Sequence, residues 1–199
     1  MQILKYSFPA ILFLASLPAV QGSTIFTLNQ SECCGTGPFG TVDLTQVNST
    51  TVHVLETLNS GDQFIKTGAG RALQFNISGT IAIANLTSGF AAGAAGDDAP
   101  PFGNFLHYIA CSGCGPGASS PLPGPLSFDV ARASGLLISD FTANSGGYYF
   151  ASDIIAGAGG STGNVAANSF SNAVPEPTSI SLLGVAVLGL GLLRRRYLA

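Results

Sequence analysis

Four cysteines are the residues of this sequence best suited to covalent or metal chemistry. Cys33 and Cys34 are adjacent, and Cys111 and Cys114 are separated by Ser-Gly. Four cysteines allow three disulfide pairings. We expect bonds from the first pair to the second, because a bond between adjacent cysteines needs a strained peptide geometry. Each such bond would close a loop of about 75–80 residues and contribute about 4 kcal/mol in the chain-entropy model.

Two other chemistries stay open for these thiols. Four thiolates could hold zinc, but adjacent ligands fit one metal awkwardly and the usual paired Cys-x-x-Cys spacing is missing. The Cys111-Ser-Gly-Cys114 segment could exchange disulfides, but Gly115-Pro116-Gly117 follows it where a helix would lower a thiol pKa. We therefore predict no metal site and no cofactor.

Histidines and acidic loops offer the other candidates for catalysis or cation binding. His53 and His107 both lie in predicted strands, and no Gly-x-Ser-x-Gly segment precedes a helix. We predict a packed His107 and not a base, although a Ser-His-Asp site assembled in space stays open. Asp97-Asp98 and Asp153 lack the spacing of a calcium loop. The sequence therefore predicts no catalytic residue and no metal ligand.

The C-terminal end has three parts. A proline-containing motif comes first, and it consists of Val174, Pro175, Glu176 and Pro177. The uncharged apolar stretch 178–193 follows, and a helix of that length reaches about 24 Å, which snorkelling arginines and a thinned bilayer can match. A basic stop-transfer cluster ends it, formed by Arg194, Arg195 and Arg196. The positive-inside rule keeps this cluster in the cytoplasm, so we predict a single C-terminal transmembrane helix with the bulk of the chain outside.

The N-terminal end has the pattern of a secretory signal peptide. Lys5 precedes the apolar run 8–20, and small residues flank a cleavage site that we place after Gly22. The run is too short to span a bilayer as a helix. Export through residues 1–22 would deliver the cysteines to an oxidising compartment, where disulfides persist.

Composition limits the function classes. Only 9% of the residues are charged, and the seven basic residues form no stripe of the kind that nucleic-acid binding requires. Residues 23–173 carry three basic and nine acidic side chains, a net charge of -6. Such a charge-poor, acidic domain suits neutral glycans better than anionic polymers.

Between the two ends, the polarity pattern is that of strands. Val42 and Leu44 alternate with polar neighbours, and Val52 and Val54 repeat the pattern in 50–58. Eight or nine such segments within 23–156 predict an all-β domain, an antiparallel β-sandwich of jelly-roll type. We expect a short helical turn within 134–141 and a loop at 112–125. The small residues of 157–173 predict a Gly/Ser/Ala-rich linker to the membrane tail.

The motif, apolar stretch and arginine cluster of 174–199 together resemble the PEP-CTERM sorting signal of exported bacterial proteins. In that family an exosortase, a membrane-embedded transpeptidase-like cysteine protease, reads the Pro-Glu-Pro motif and processes the tail. The resemblance implies that Glu176 is a recognition residue. It implies the exosortase, the export machinery, the membrane and extracellular polysaccharide as partners. The precursor would be membrane-anchored, and the processed protein would lie at the cell surface or outside the cell.

The exported domain itself resembles a recurrent group of PEP-CTERM proteins, through Cys33-Cys34, Asp153-Ile154 and the segments 39–42 and 67–70. The group has no assigned activity. The tail is also called an ice-binding-protein C-terminal domain, a label that says nothing about ice. We therefore expect a non-enzymatic surface or extracellular-matrix protein.

Two other functions stay open for this domain. One is a carbohydrate- or calcium-binding module, for which Tyr108, Tyr148 and Tyr149 are the candidates for stacking on sugar rings. The other is a hydrolase.

Overall fold

The computed structural model describes residues 22–68, 71–93, 95–157 and 160–173. The predicted signal peptide 1–22 and sorting segment 174–199 therefore lie almost wholly outside the described residues. Within the described ranges no helix is long and apolar enough to cross a membrane. These ranges contain a short 3-10 helix, Ile138–Asp140, and the following strands: β1 Ser23–Leu28, β2 Gln30–Ser31, β3 Gly40–Asn48, β4 Thr51–Leu58, β5 Gln63–Lys66, β6 Leu73–Phe75, β7 Ala82–Ala84, β8 Phe90–Ala92, β9 Asp97–Asp98, β10 Asn104–Phe105, β11 His107–Cys111, β12 Gly117–Leu122, β13 Leu126–Ala131, β14 Phe150–Ala156, β15 Ser161–Ala167 and β16 Phe170–Ala173.

Sheet A contains six antiparallel strands in the order β16-β1-β3-β4-β13-β7. Its strands form because apolar and polar residues alternate along them. Val42 and Leu44 of β3 are fully buried, whereas their neighbours Thr41 and Asp43 are half-buried on the other face. The prediction of an antiparallel all-β domain is confirmed, and the jelly-roll subtype stays a prediction.

Sheet B contains the path β12-β5-β14-β6-β11-β8, with β15 on the other edge of β14 and β2 beyond β15. β5 and β6 both pair with the same edge of β14, one after the other. The small β9-β10 hairpin forms a separate sheet.

Aromatic rings join the two sheets into a sandwich. Phe75 of sheet B contacts Phe128 of sheet A at 5.9 Å between ring centroids, and Phe26 contacts Phe150 at 4.9 Å. A second, smaller cluster packs Phe102 and Phe105 with small buried side chains of β14 and β15. Because both of its faces are covered, β14 has five consecutive buried residues.

The predicted linker 157–173 is wrong for most of its length, because it contains two strands. β15 pairs with β14 from Ser161 to Ala167, and β16 pairs with β1. The small side chains that suggested a linker have a packing reason, since Ala166 is fully buried in the smaller cluster. The 112–125 segment likewise contains β12, where a loop was expected. The helical turn expected within 134–141 is present as the 3-10 helix.

The predicted cross-links between the two cysteine pairs are also wrong. All four cysteines form disulfides, but the bonds join Cys33 to Cys34 and Cys111 to Cys114. Strands β15, β14 and β6 lie between the β2 end and β11, and strands about 4.8 Å apart put the two pairs well beyond the ~7 Å limit for bridged Cα atoms. Each bond therefore closes only a local turn, and the large loop-closure contribution expected from the sequence does not apply.

Candidate functional site

The two ends of the domain leave it side by side. Edge strand β16 pairs with β1, so that Ala173 faces Ser23 and Phe170 faces Phe26 across the ladder. The predicted signal-peptide boundary at Gly22 therefore lies next to the last strand residue. The sorting motif begins in the sequence at the very next position, Val174.

An aromatic groove lies beside β16, at the open edge of the sandwich. Its volume is about 460 Å³, and its apolar part consists mainly of the rings of Phe26, Phe141, Tyr149 and Phe170 with the side chain of Ile138. The Phe26 centroid lies 5.0 Å from that of Tyr149 and 5.3 Å from that of Phe170. The polar groups of the lining belong to Thr24, Ser139, Thr142 and Asn172. No charged side chain is among the described residues that line the groove.

The wall opposite β16 is the segment around the 3-10 helix, and hydrogen bonds fix it to sheet A. The Ile138 amide donates to Gln46 Oε1 at 3.1 Å. Asp140 accepts from the Arg132 guanidinium at 2.6 Å and from the Leu137 amide at 2.8 Å. Both walls of the groove therefore have a fixed backbone: β16 is hydrogen-bonded to β1, and the segment around the 3-10 helix is hydrogen-bonded to sheet A.

The three tyrosines that we considered for sugar stacking do not share a surface. Tyr149 lines the groove. The Arg71 guanidinium lies 4.9 Å from the ring centroid of Tyr108. Tyr148 packs edge-on against Phe102 at 4.9 Å. The structure thus brings Tyr149 together with three phenylalanine rings in one cavity, whereas Tyr108 lines a separate cavity of about 370 Å³ with Phe75 and His107.

A Ser-His-Asp arrangement lies on the outer face of sheet A, and sequence reasoning missed it. His53 Nδ1 is 2.7 Å from Asp129 Oδ1, and its Nε2 is 3.3 Å from Ser127 Oγ. Asn85 donates to the second carboxylate oxygen of Asp129 at 2.6 Å. Burial alone would raise the pKa of Asp129, but the hydrogen bonds from His53 and Asn85 and the charge of His53 lower it below its ordinary value.

This arrangement follows from strand register. His53 of β4 is directly opposite Asp129 of β13, and Ser127 is two residues along the same face. Acyl transfer also needs amide donors free to bind an oxyanion. The Ser127 amide instead donates to Thr87 Oγ1 at 2.9 Å, and the Thr87 amide donates to the Ser127 carbonyl oxygen at 2.9 Å. Ser127, His53 and Asp129 thus have the hydrogen-bond order of a catalytic triad, but the Ser127 amide is bonded to Thr87 and is not free to bind an oxyanion.

The other titratable candidates have structural partners. His107 Nε2 is 2.9 Å from the Ile77 carbonyl oxygen and its ring packs against Phe75, as expected for a packed histidine. Asp97 forms an ion pair with Arg71. Fully buried Asp153 accepts from the Thr67 amide at 2.6 Å and from the Thr67 hydroxyl at 2.8 Å.

The described part of the chain contains no group of side chains arranged to bind a metal ion. There, no three His, Cys, Asp or Glu side chains are grouped so that they could hold a metal ion. The four sulfur atoms are also bound to one another in two disulfides.

Residues 173–196 match the PEP-CTERM protein-sorting motif. The matched segment contains the four motif residues and the three arginines identified in the sequence. The protein is therefore exported and sorted by an exosortase, from a membrane-anchored precursor to the cell surface. Comparisons of the chain with curated proteins and with solved structures returned no match.

Proposed function

We propose that the sorted domain is a non-enzymatic component of the cell surface or extracellular matrix and associates with extracellular polysaccharide. The pairing of Ala173 with Ser23 is the observation that carries this proposal. It puts a paired strand residue immediately before the sorting motif in the sequence, so processing at the motif keeps every strand of the described residues in the released domain. The delivered product then contains the whole described sandwich.

The surroundings of Ser127 support the non-enzymatic part of the proposal. Its amide donates to Thr87 Oγ1, so this amide is not free to bind an oxyanion. Acyl transfer needs such donors aimed at the developing charge.

Sorting is tested by replacing the recognition carboxylate, Glu176→Gln, in a host that carries an exosortase. We expect the unprocessed precursor to accumulate in the membrane fraction and the surface and extracellular protein to fall by at least tenfold. Asp98→Asn is the matched control, because it removes an exposed carboxylate of the folded domain. Unchanged processing of the Glu176 variant would contradict the sorting role.

Polysaccharide association is tested by enzymatic digestion of the extracellular polysaccharide. We expect digestion to release the processed protein, and retention of the protein after digestion would contradict the association.

The non-enzymatic part is tested with a fluorophosphonate probe, which labels serines activated by a histidine. We expect the wild-type protein to label no faster than Ser127→Ala. Labelling that requires both Ser127 and His53 would overturn this part of the proposal and make the outer face of sheet A a hydrolase site.

A further inference from the structure

We infer that the aromatic groove beside β16 is a binding site for a segment of an uncharged glycan, with a pyranose ring against the ring of Phe170. The inference rests on the proposed association with polysaccharide and names the site and the ligand class for it. Three features of the groove carry it: its fixed rings, its polar rim and its lack of charge.

The rings of the groove are positioned before any ligand arrives. Phe170 is 50% exposed, yet it is held by edge-on contact with Tyr149 at 5.7 Å and by contact with Phe26. An exposed, fixed ring beside a cavity of about 460 Å³ offers an apolar surface at little entropic cost. The C–H face of a pyranose is apolar and matches such a surface.

The polar rim matches the hydroxyl groups at the edge of a sugar ring. The Thr24 hydroxyl donates to Asn172 Oδ1 at 3.2 Å, which orients the amide of an exposed side chain. Thr142 and Ser139 add hydroxyl groups on the opposite wall, and both are exposed. Ligand pockets commonly combine apolar walls with a few placed polar groups in this way.

Charge and rim chemistry exclude the other occupants. The groove lining has no cation to bind an acidic polymer, and residues 23–173 carry a net charge of -6 that would repel it. A lipid acyl chain would cover the Ser139 and Thr142 hydroxyl groups without bonding them, and unsatisfied polar groups oppose its binding.

Binding is tested on the full chain in lipid nanodiscs. The probes are uncharged hexasaccharides of β-1,4-glucan, β-1,3-glucan, α-1,4-glucan and β-1,4-mannan, with hexagalacturonate as the acidic comparison. Saturation-transfer NMR and calorimetry report binding to the wild-type protein, Phe170→Ala and Asn172→Ala. Leu106→Ala is the matched control, because Leu106 is a large apolar side chain with the same 50% exposed fraction outside the groove.

We expect at least one neutral hexasaccharide to bind and hexagalacturonate not to bind. Affinity should fall at least tenfold in Phe170→Ala and about threefold or more in Asn172→Ala, with no change in Leu106→Ala. Circular dichroism checks that β16 is retained, and Phe170→Leu, which keeps apolar volume without a flat ring, gives the same tenfold test if Phe170→Ala misfolds.

Several outcomes would overturn the inference. They are no binding of any neutral probe at millimolar concentration, tighter binding of hexagalacturonate, equal binding by the wild-type protein and Phe170→Leu, or lipid acyl contacts to Phe170 in the NMR spectra. In each case, release of the processed protein by polysaccharide digestion would still support the proposed function, which would then use another surface. The two proposals therefore fail separately.

Discussion

Two fully buried carboxyl groups, Glu56 between the sheets and Asp153 on the outer face of sheet B, have opposite environments. Neither oxygen of Glu56 has a hydrogen-bond partner in the described part of the chain, and the facing Ser152 hydroxyl donates to the Ala72 carbonyl oxygen at 2.7 Å. Asp153 accepts one hydrogen bond from the Thr67 amide and a bifurcated one, shared by both carboxylate oxygens, from the Thr67 hydroxyl. The same chemical group is thus unpartnered in one layer of the sandwich and fixed in the other.

Backbone pairing explains the difference. Between the sheets, the strands commit their amides to ladders, and Glu56 on β4 meets no donor from them. In sheet B, β5 and β6 pair with the same edge of β14, but the twelve residues from Phe64 to Phe75 match only the five from Phe150 to Ile154. Thr67 comes after β5 and outside its ladder, and its amide and hydroxyl groups bond the Asp153 carboxylate. An interrupted strand therefore makes a buried carboxylate tolerable where a continuous one does not.

Burial raises the pKa of both carboxyl groups. For Asp153 the hydrogen bonds from Thr67 oppose the effect of burial. For Glu56 burial is the dominant cause and raises the pKa well above 4.5. We conclude that Asp153 connects Thr67 to β14, whereas burial favours the protonated form of Glu56.

The largest expected effect comes from removing the partnered carboxylate. Asp153→Ala leaves the Thr67 amide and hydroxyl without their acceptor, so the free energy of unfolding should fall by about 2–3 kcal/mol. Thr67→Val removes only the hydroxyl donor and should cost about 1 kcal/mol. Urea denaturation followed by circular dichroism measures both changes.

The control for these variants is Asp98→Ala, since Asp98 is exposed and substitutions of that kind stay within about 0.5 kcal/mol. An Asp153→Ala variant no less stable than this control would show that the Thr67 hydrogen bonds do not hold the segment.

The different environments of the two carboxyl groups could be only partly foreseen. Period-two alternation in 40–46 and 50–58 predicted β3 and β4 and the shared face of Val52 and Val54. Glu56 has the same spacing along β4, although its burial was not predicted. The burial of Asp153 was hidden, because β14 is covered on both faces by segments distant in the sequence. A pattern of alternation cannot show a second covering layer, and small residues such as Ala166 resemble a linker until that layer is known.

The groove and the Ser-His-Asp arrangement were hidden for a related reason. Ser127 and Asp129 have the i, i+2 spacing of one strand face, a signal that the sequence contains. Their partner His53 belongs to a strand more than seventy residues away, and only the β4-β13 register brings it opposite Asp129. The sorting motif, in contrast, is a local pattern, so it was predicted from consecutive residues and confirmed by the match at 173–196.

A separate effect, which is absent at pH 4.5 and grows as pH rises, is expected for Glu56. Its pKa in the folded protein is raised above the ordinary value of 4.5, so the folded protein keeps a proton that the unfolded chain releases. The stability that this proton provides is fully present below about pH 4.5 and is lost as pH rises through the folded-state pKa. The neutral Glu56→Gln variant lacks this loss. The wild-type protein should therefore lose up to about 1.4 kcal/mol per pH unit relative to the variant above pH 4.5.

Urea denaturation from pH 4 to pH 8 measures this difference, and Asp98→Asn, which changes an exposed carboxylate, should keep the wild-type pH profile. Parallel profiles for the wild-type protein and Glu56→Gln would mean that Glu56 is ionised in the folded protein. In that case the core would have to supply a partner for its charge, because an ionised carboxylate without one costs several kcal/mol to bury. Glu56 and Asp153 would then no longer differ, because both carboxylates would be ionised and would have partners in the folded protein.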